Sequence, residues 1–311
     1  MDFISLIRFV ATLLITNSHF GDLYPSGYTL LATGGMIGSA LFFFCSGYSL
    51  YISFSKTKLS SLQWLLKRFL RIYPSMWMFR IFSWLFLGED FSWINIIIPG
   101  YLFLNAIIIF YLVFYFIIRY FAKYLKSITF LLIIPFVTAF FLQSDRFPDF
   151  IIEDTSNCYH LHYFYLFAIM LSGAILAKRN KEINSNKYDL LKLFTSIGLY
   201  YGYKGLLIHY ELWIFQLLLP LLLIIVMYYF FRASNFIIKK KYFRHKSVQS
   251  FIFYISNLTL DIYIVQFVCI NYAKNYSFPI GYFGAIVLIA LLAILLNYLS
   301  KQIVKFAYTK F

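Results

Sequence analysis

The chain has 311 residues, of which 62% are apolar and only 13% are charged. Soluble domains carry about twice that share of charged residues, so the composition excludes an ordinary soluble protein and indicates a membrane protein. The formal net charge is +15, but the basic residues are spread over separate loops. This distribution suits anionic lipids and an anionic cytosolic ligand better than a nucleic acid, and we predict no nucleic-acid partner.

Apolar segments recur from one end of the chain to the other and predict an all-α protein, with a single transmembrane domain over residues 1–311. Ten spans are expected at about 3–20, 29–52, 73–88, 97–118, 127–142, 161–177, 190–206, 212–231, 251–272 and 280–300. The short loops leave no room for a soluble domain. No small-residue cleavage site follows the first segment, so we expect a retained helix rather than a signal peptide.

The positions of the lysines and arginines predict the orientation of these spans. With both termini in the cytoplasm, all but four of the 27 basic residues fall in or beside cytoplasmic segments. The exceptions are Arg80, Arg146, Lys204 and Lys274. Most acidic residues lie in or beside the outer loops instead. The three cysteines, Cys45, Cys158 and Cys269, are scattered and predict neither a disulfide framework nor a zinc site.

The first span contains two ionisable residues, Arg8 and His19, eleven positions apart. At about 100° per residue they project from one face of a helix, separated by about 16 Å along its axis. Ionisable groups inside a membrane usually face a protein interior or an aqueous cavity, so the aligned pair is a functional-site hypothesis. The alternative places Arg8 among the cytoplasmic headgroups and His19 in the outer interface.

Two further segments carry polar groups of interest. The second span has small residues that allow close helix approach, and its Ser46-Gly47 pair could bring a backbone against a ligand. At the cytoplasmic entry to the third span, Lys67, Arg68 and Arg71 share a helix face, which suits either membrane anchoring or a phosphate clamp. Pro74 is expected to break or start a helix there.

Three local patterns resemble the acyltransferase family 3 membrane proteins, which O-acetylate cell-surface polysaccharides and related glycans. Arg8 and His19 match the pattern Arg-X10-His, Phe42–Gly47 matches Phe-Phe-x-x-Ser-Gly, and Arg68–Pro74 matches Arg-x-x-Arg-Ile-x-Pro. Downstream, 101–104 followed by Tyr111 resembles the Trp-Phe-Leu segment of the family and its later Tyr, with Tyr replacing Trp. The resemblance and the ten-span prediction cover the whole chain.

The resemblance implies a catalytic role for His19, either as the base that deprotonates a sugar hydroxyl or as an imidazole that is itself acylated. Arg8 would meet the phosphate or pantetheine part of an acetyl-CoA donor. Arg68 and Arg71 would hold the nucleotide phosphates, and Lys67, Ser46 and Arg80 are further candidate residues for donor binding. Arg80 is expected to face the same cavity as Arg8. No metal is expected.

The sequence departs from the family near the ninth span, where Tyr-x-x-His is common and this chain has Tyr263 followed by Gln266. A base at that position is therefore absent. Asp261 is a carboxylate inside the same span, and we expect it to pair with a basic residue. For His160 and His162, an ordinary interfacial role is favoured over metal binding.

Together these features predict a bacterial cytoplasmic (inner) membrane O-acyltransferase. It would move acetyl from cytosolic acetyl-CoA to a hydroxyl of a surface glycan or a lipid-linked sugar. The rival from another class is a transporter or flippase of a lipid-linked glycan, but the few intramembrane ionisable residues favour a local site over a continuous polar path. A glycan polymerase would need a large, arginine-bearing outer loop. The acceptor sugar and the oligomeric state stay open.

Overall fold

The computed structural model describes residues 3–56, 60–88, 93–98, 102–142, 159–179 and 185–310. Every regular element in these ranges is a helix, which confirms the all-α class. The α-helices are α1 (Phe3–Ser18), α2 (Gly35–Lys56), α3 (Ser61–Leu87), α4 (Ile94–Ile97), α5 (Leu102–Phe121), α6 (Leu125–Leu131), α7 (Ile133–Leu142), α8 (Tyr159–Arg179), α9 (Tyr188–His209), α10 (Leu219–Ile237), α11 (Lys246–Asn257), α12 (Thr259–Ala273) and α13 (Ile280–Lys310). Three residues of the sequence analysis, Tyr101, Arg146 and Cys158, lie outside the described ranges.

Helix length and composition make the chain a multi-pass membrane protein. Among the described residues, five segments are long and apolar enough to cross a bilayer, and a bent helix pair would make six. These five segments are Thr29–Lys56, Phe103–Leu142, Leu161–Arg179, Ile214–Ile237 and Ile280–Phe306. Helix α1 is apolar but has only 16 residues, about 24 Å of helix against about 30 Å of hydrocarbon. The ten spans and the cytoplasmic termini stay predictions.

The segment predicted as the ninth span is broken. Helices α11 and α12 meet at Leu258 with an angle of 66°. At this break the Thr259 hydroxyl donates to the Ser256 carbonyl over 2.9 Å. Such side-chain bonds compete with the helical N–H ladder and favour a bend, and within a membrane protein they satisfy carbonyl groups that the break frees.

Helix α3 also differs from the prediction. It begins at Ser61 rather than near residue 73, because Ser60 and Gln63 form a reciprocal capping box at its N-terminus. The expectation that Pro74 breaks or starts a helix is wrong, since Pro74 lies inside α3. Membrane helices tolerate an internal proline where neighbouring groups satisfy the freed carbonyl. The basic segment is therefore continuous with the apolar half of the same helix.

After α3 the chain turns back along that helix. The Trp77 indole donates to the Ile96 carbonyl over 2.9 Å, and the Tyr73 hydroxyl donates to the Ile97 carbonyl over 3.0 Å. Helix α3 continues for ten residues beyond Trp77, about 15 Å. The two aromatic donors thus satisfy the last carbonyls of the short helix α4, which lies beside the middle of α3.

The chain packs into two compact units, each built from three separate segments. The first unit comprises Met1–Arg8, Ser39–Thr57 and Val113–Ser250. The second comprises Phe9–Gly38, Lys58–Leu112 and Phe251–Phe311.

In the first unit, α2 and α8 approach each other closely at two glycines. A Cβ placed on Gly47 would overlap the Met170 carbonyl, and one placed on Gly173 would overlap the Phe44 carbonyl. The close backbone approach predicted for Gly47 is therefore made to another helix. Elsewhere in this unit, α9 and α10 are joined by an ion pair in which Arg232 Nε lies 2.8 Å from Oδ1 of the buried Asp189.

In the second unit, the early part of α2 packs on α1. A Cβ on Gly38 would lie 3.0 Å from the Ala11 carbonyl, and one on Gly35 would lie 2.6 Å from Ser18 Oγ. The remaining core of this unit is formed by α3, α12 and α13, with α12 and α13 as an adjacent pair. These contacts place the C-terminal half of α1 inside a helical bundle.

The glycine crossing generates a stability prediction. Gly47→Ala adds a methyl group where the Met170 carbonyl lies, so we expect a loss of about 1–3 kcal/mol or more of unfolding free energy. The measurement is thermal unfolding of the detergent-solubilised protein. Gly202→Ala is the matched control, because no atom lies within 4 Å of its added Cβ and alanine favours a helix. Equal midpoints for the two variants would contradict the close crossing.

Candidate active site

His19 directly follows the end of α1. Its backbone N–H donates to the Thr16 carbonyl over 3.1 Å, which closes a final tight turn. The half-buried imidazole packs edge-on against Phe267 of α12, with ring centroids 4.7 Å apart. The next residue, Phe20, is only 2% exposed. The histidine is therefore held between an apolar ring and a buried chain segment rather than on a free loop.

One face of α1 is joined to α12 by polar contacts. The Thr12 hydroxyl donates to Thr259 Oγ1 over 2.9 Å, and the Thr16 hydroxyl donates to Gln266 Oε1 over 3.1 Å. Positions 12, 16 and 19 share a helix face because they are four and three residues apart. Their partners also rise in number along α12, so this part of α1 runs parallel to α12. In the predicted order of ten spans, the first and ninth spans cross the membrane in the same direction and would also be parallel.

The segment after His19 is tied back to α1 through Asn17. Its amide donates to the Leu31 carbonyl over 2.7 Å and to the Thr33 carbonyl over 3.1 Å. The Tyr24 hydroxyl donates to Asn17 Oδ1 over 2.7 Å. Burial, followed by a hydrogen bond with Tyr282, raises the pKa of Tyr24 to about 12, so this phenol stays neutral at physiological pH. The loop is fixed by neutral hydrogen bonds.

An aromatic row continues from the histidine contact. Phe267 packs on Tyr263 at 5.7 Å, and Tyr263 packs on Phe103 at 4.6 Å. The sequence resembles the family at the segment that contains Phe103 and departs from it at the segment that contains Tyr263, and the fold makes these two residues neighbours. The row places apolar surface beside His19, as expected of a site that excludes water.

Two polar groups of α12 are buried in this unit. Gln266 is fully buried, and its Nε2 has no hydrogen-bond partner among the described residues. Asp261 is 2% exposed, and its Oδ2 accepts a 2.7 Å hydrogen bond from Asn297. Ser75 and Lys301 also interact with this carboxylate. The carboxylate is thus hydrogen-bonded by an amide of α13, and the basic residue that acts on it is Lys301 of the same helix.

The predicted donor-binding cations of α3 belong to the second unit. The Arg68 guanidinium lies over the ring of Trp64, 5.1 Å from its centroid. Lys67 and Arg71 are exposed, and Arg80 is half-buried further along the helix. The cation–π contact holds the Arg68 guanidinium against a ring that is itself 1% exposed. The helix thus presents two exposed charges, Lys67 and Arg71, beside a guanidinium held by an aromatic ring.

The remaining predicted residues belong to the first unit. Arg8 is half-buried, and its Nη2 donates to Ser49 Oγ over 3.2 Å. Ser46 is buried one turn before Ser49 on α2. The predicted alignment of Arg8 with His19, and the shared cavity of Arg8 and Arg80, stay predictions. His162 is buried and packs edge-on against Tyr165 at 5.5 Å, while the side chain of His160 lies outside the described part.

Sequence reasoning missed Thr16, Ser49 and Asn297 as partners of the candidate residues. Each is a polar residue in an apolar helix, and that is the one signal that marks them. Asn297 stands in a segment otherwise made of Ala, Ile, Leu and Tyr. A polar residue within an apolar span can therefore be recognised in the sequence. The residue that it contacts can be identified only from the fold.

The fold and these contacts define a class: an all-helical, multi-pass membrane protein with a histidine fixed in an aromatic setting at the end of its first helix. A model of the acyltransferase 3 family, described as an acyltransferase domain, matches residues 1–300. The chain therefore belongs to the acyltransferase 3 family and is an acyltransferase. Comparisons with curated proteins and with solved structures gave no significant match.

The amide contact of Asp261 can be tested directly. Asn297→Leu removes the donor to a buried carboxylate oxygen, and we expect it to cost about 1–3 kcal/mol of unfolding free energy. The double variant Asp261→Leu/Asn297→Leu removes both polar partners and should be the more stable of the two. Thermal unfolding in detergent is the measurement. A double variant less stable than Asn297→Leu would show that Asp261 has a further stabilising partner.

Proposed function

We propose that this acyltransferase moves an acetyl group from cytosolic acetyl-CoA to a hydroxyl group of a cell-surface glycan, in the bacterial cytoplasmic membrane. Capsule, O-antigen and exopolysaccharide are the acceptor classes. The observation that carries the proposal is the fixed position of His19, whose ring packs on Phe267 at 4.7 Å. Its helix is fastened to α12 by two hydroxyl contacts. Membership of the acyltransferase 3 family supports the reaction class.

In the proposed reaction His19 acts as a general base. Imidazole suits this task because its unperturbed pKa is near neutrality, at about 6.5. It takes the proton of the acceptor hydroxyl while the hydroxyl oxygen attacks the thioester carbonyl carbon. The tetrahedral intermediate then loses its C–S bond, and the departing thiolate receives the proton from the imidazolium. The products are an O-acetyl ester and CoA, with no net change in protons on the enzyme.

Donor binding is proposed for the basic residues. The guanidinium of Arg68, oriented by Trp64, would bind a phosphate oxygen in two-point fashion, with Lys67 and Arg71 supplying further positive charge. Arg8, Ser46 and Arg80 are proposed to contact the pantetheine arm or a phosphate. Together these residues would bind the acetyl-CoA donor at its anionic nucleotide end and at its thioester end.

The catalytic role of His19 has a direct test. His19→Gln should lower acetyl transfer by about 100-fold or more, because the general base is lost. The measurement is incorporation of labelled acetyl from acetyl-CoA into surface glycan by membranes that contain equal amounts of protein. His209→Gln is the control, since His209 is exposed at the end of α9. Unchanged incorporation in His19→Gln would end the base assignment.

The same variants separate the base from an acylated histidine. Rapid quenching of the wild type with labelled acetyl-CoA and no acceptor leaves the protein unlabelled if His19 is a base. Stoichiometric label that His19→Gln abolishes would show covalent catalysis instead. Normal acetylation with an altered distribution of lipid-linked glycan would favour the flippase.

The basic helix predicts a donor-specific defect. Lys67→Ala/Arg71→Ala should raise the KM for acetyl-CoA about tenfold, the effect of about 1.4 kcal/mol of lost binding. The kcat should stay near the wild-type value, because these residues are proposed to bind the nucleotide end and not the reacting carbonyl. Lys123→Ala/Lys126→Ala is the matched control from another basic segment.

A truncated donor sharpens this experiment. Acetyl-pantetheine lacks the nucleotide phosphates, so its KM should be the same for the wild type and for Lys67→Ala/Arg71→Ala. An equal increase in KM for both donors would place the two cations away from the phosphates.

A further inference from the structure

An unpaired hydrogen-bond donor lies next to the residue that packs on His19. Gln266 has 0% of its surface exposed, and its Nε2 has no hydrogen-bond partner among the described residues. A buried amide N–H without an acceptor is unfavourable, since it loses water and gains no replacement bond. An apolar side chain would fill this position at lower cost unless a ligand supplies the acceptor.

The orientation of this amide is fixed by α1. Thr16 donates to Gln266 Oε1 over 3.1 Å, which occupies the oxygen and leaves both N–H groups of Nε2 available. Thr16 lies three residues before His19, and Gln266 immediately precedes the Phe267 that packs on the imidazole. The two residues that contact Gln266 and Phe267 are therefore three positions apart, about 4.5 Å along a helix axis.

The chemistry of the position favours a donor over a base. A glutamine amide can donate a hydrogen bond but cannot exchange a proton in the physiological range. Acyl transfer needs such a group, because negative charge develops on the carbonyl oxygen when the acceptor oxygen adds to the carbon. A donor already fixed in an apolar setting stabilises that charge without having to reorganise.

We propose that Gln266 Nε2 donates a hydrogen bond to the carbonyl oxygen of the acyl group in transfer and stabilises the oxyanion of the tetrahedral intermediate. This rests on the proposed function. His19 takes the proton of the acceptor hydroxyl, and the new C–O bond forms as the carbonyl π electrons move onto the oxygen bound by Gln266. The electrons return as the C–S bond breaks, and the thiolate takes the proton from His19. Gln266 is unchanged at the end.

The test uses the full-length protein in lipid nanodiscs. Gln266→Met keeps the side-chain volume and removes the donor, whereas Gln266→His keeps an N–H donor. Thr12→Val is the matched control, because it removes the other α1–α12 hydroxyl contact without touching Gln266. Initial rates of labelled acetyl transfer from acetyl-CoA to isolated surface glycan give kcat and KM for each variant.

We expect Gln266→Met to lower kcat by about 100-fold, as removal of one oxyanion donor does in other acyl-transfer sites, with a much smaller, several-fold rise in KM for acetyl-CoA. Gln266→His should recover most of that loss, and Thr12→Val should lower kcat far less than Gln266→Met, because it loosens the α1–α12 contact and keeps the amide donor. A kcat for Gln266→Met within twofold of Thr12→Val overturns the inference and leaves the proposed function intact. Absence of acetyl transfer by the wild type itself overturns both.

A binding measurement covers the case in which Gln266→Met fails to fold. S-ethyl-CoA has the shape of acetyl-CoA without the carbonyl oxygen, so the wild type should bind acetyl-CoA several-fold more tightly. Thr16→Val removes the hydroxyl that donates to Gln266 Oε1 and should reduce the difference in affinity between acetyl-CoA and S-ethyl-CoA. Thr12→Val should preserve this difference in affinity. Equal affinity of the wild type for the two thiol derivatives overturns the inference, whatever the fate of Gln266→Met.

Discussion

The contact between the C-terminal half of α1 and α12 is the constraint that positions the candidate catalytic histidine. It includes two hydroxyl hydrogen bonds and one aromatic contact, made by Thr12, Thr16 and His19 on a single helix face. Between apolar helices in lipid, such polar contacts contribute because hydrophobic burial does not distinguish a neighbouring helix from acyl chains. Sliding α1 along α12 would break both hydroxyl contacts at once. These contacts therefore fix the position of the His19 imidazole relative to α12.

Neutral groups make the hydrogen bonds described above for the C-terminal half of α1. The segment beyond His19 is held by the Asn17 amide and by the Tyr24 phenol, which is neutral at physiological pH. Four of the cations that we propose for donor binding lie on α3: Lys67, Arg68, Arg71 and Arg80. Separation of the charged and neutral parts suits a reaction in which the thioester must leave water while the nucleotide phosphates stay at a polar surface.

The sequence predicted the all-α membrane class, because hydropathy is a local property. Intramembrane polarity likewise marked the candidate residues, whose roles stay predictions. The sequence failed at features set by neighbours. Pro74 remains helical because the surrounding bundle tolerates it, and the break at Leu258 arises where the Thr259 hydroxyl bonds a carbonyl of the preceding turn. The amide partner of Asp261 lies 36 residues away in another helix, so no local pattern could identify it.

Two buried polar residues of α12 each have one side-chain atom without a hydrogen-bond partner among the described residues. For Asp261 that atom is Oδ1, while Oδ2 accepts from Asn297 and the carboxylate also interacts with Ser75 and Lys301. Gln266 has one atom satisfied and the other without a partner in the described chain. A buried hydrogen-bond donor without an acceptor destabilises the resting protein. The presence of Gln266 is therefore explained by a state in which its N–H donates to an acceptor. In an acyltransferase, the oxygen of the transferred acyl group supplies that acceptor.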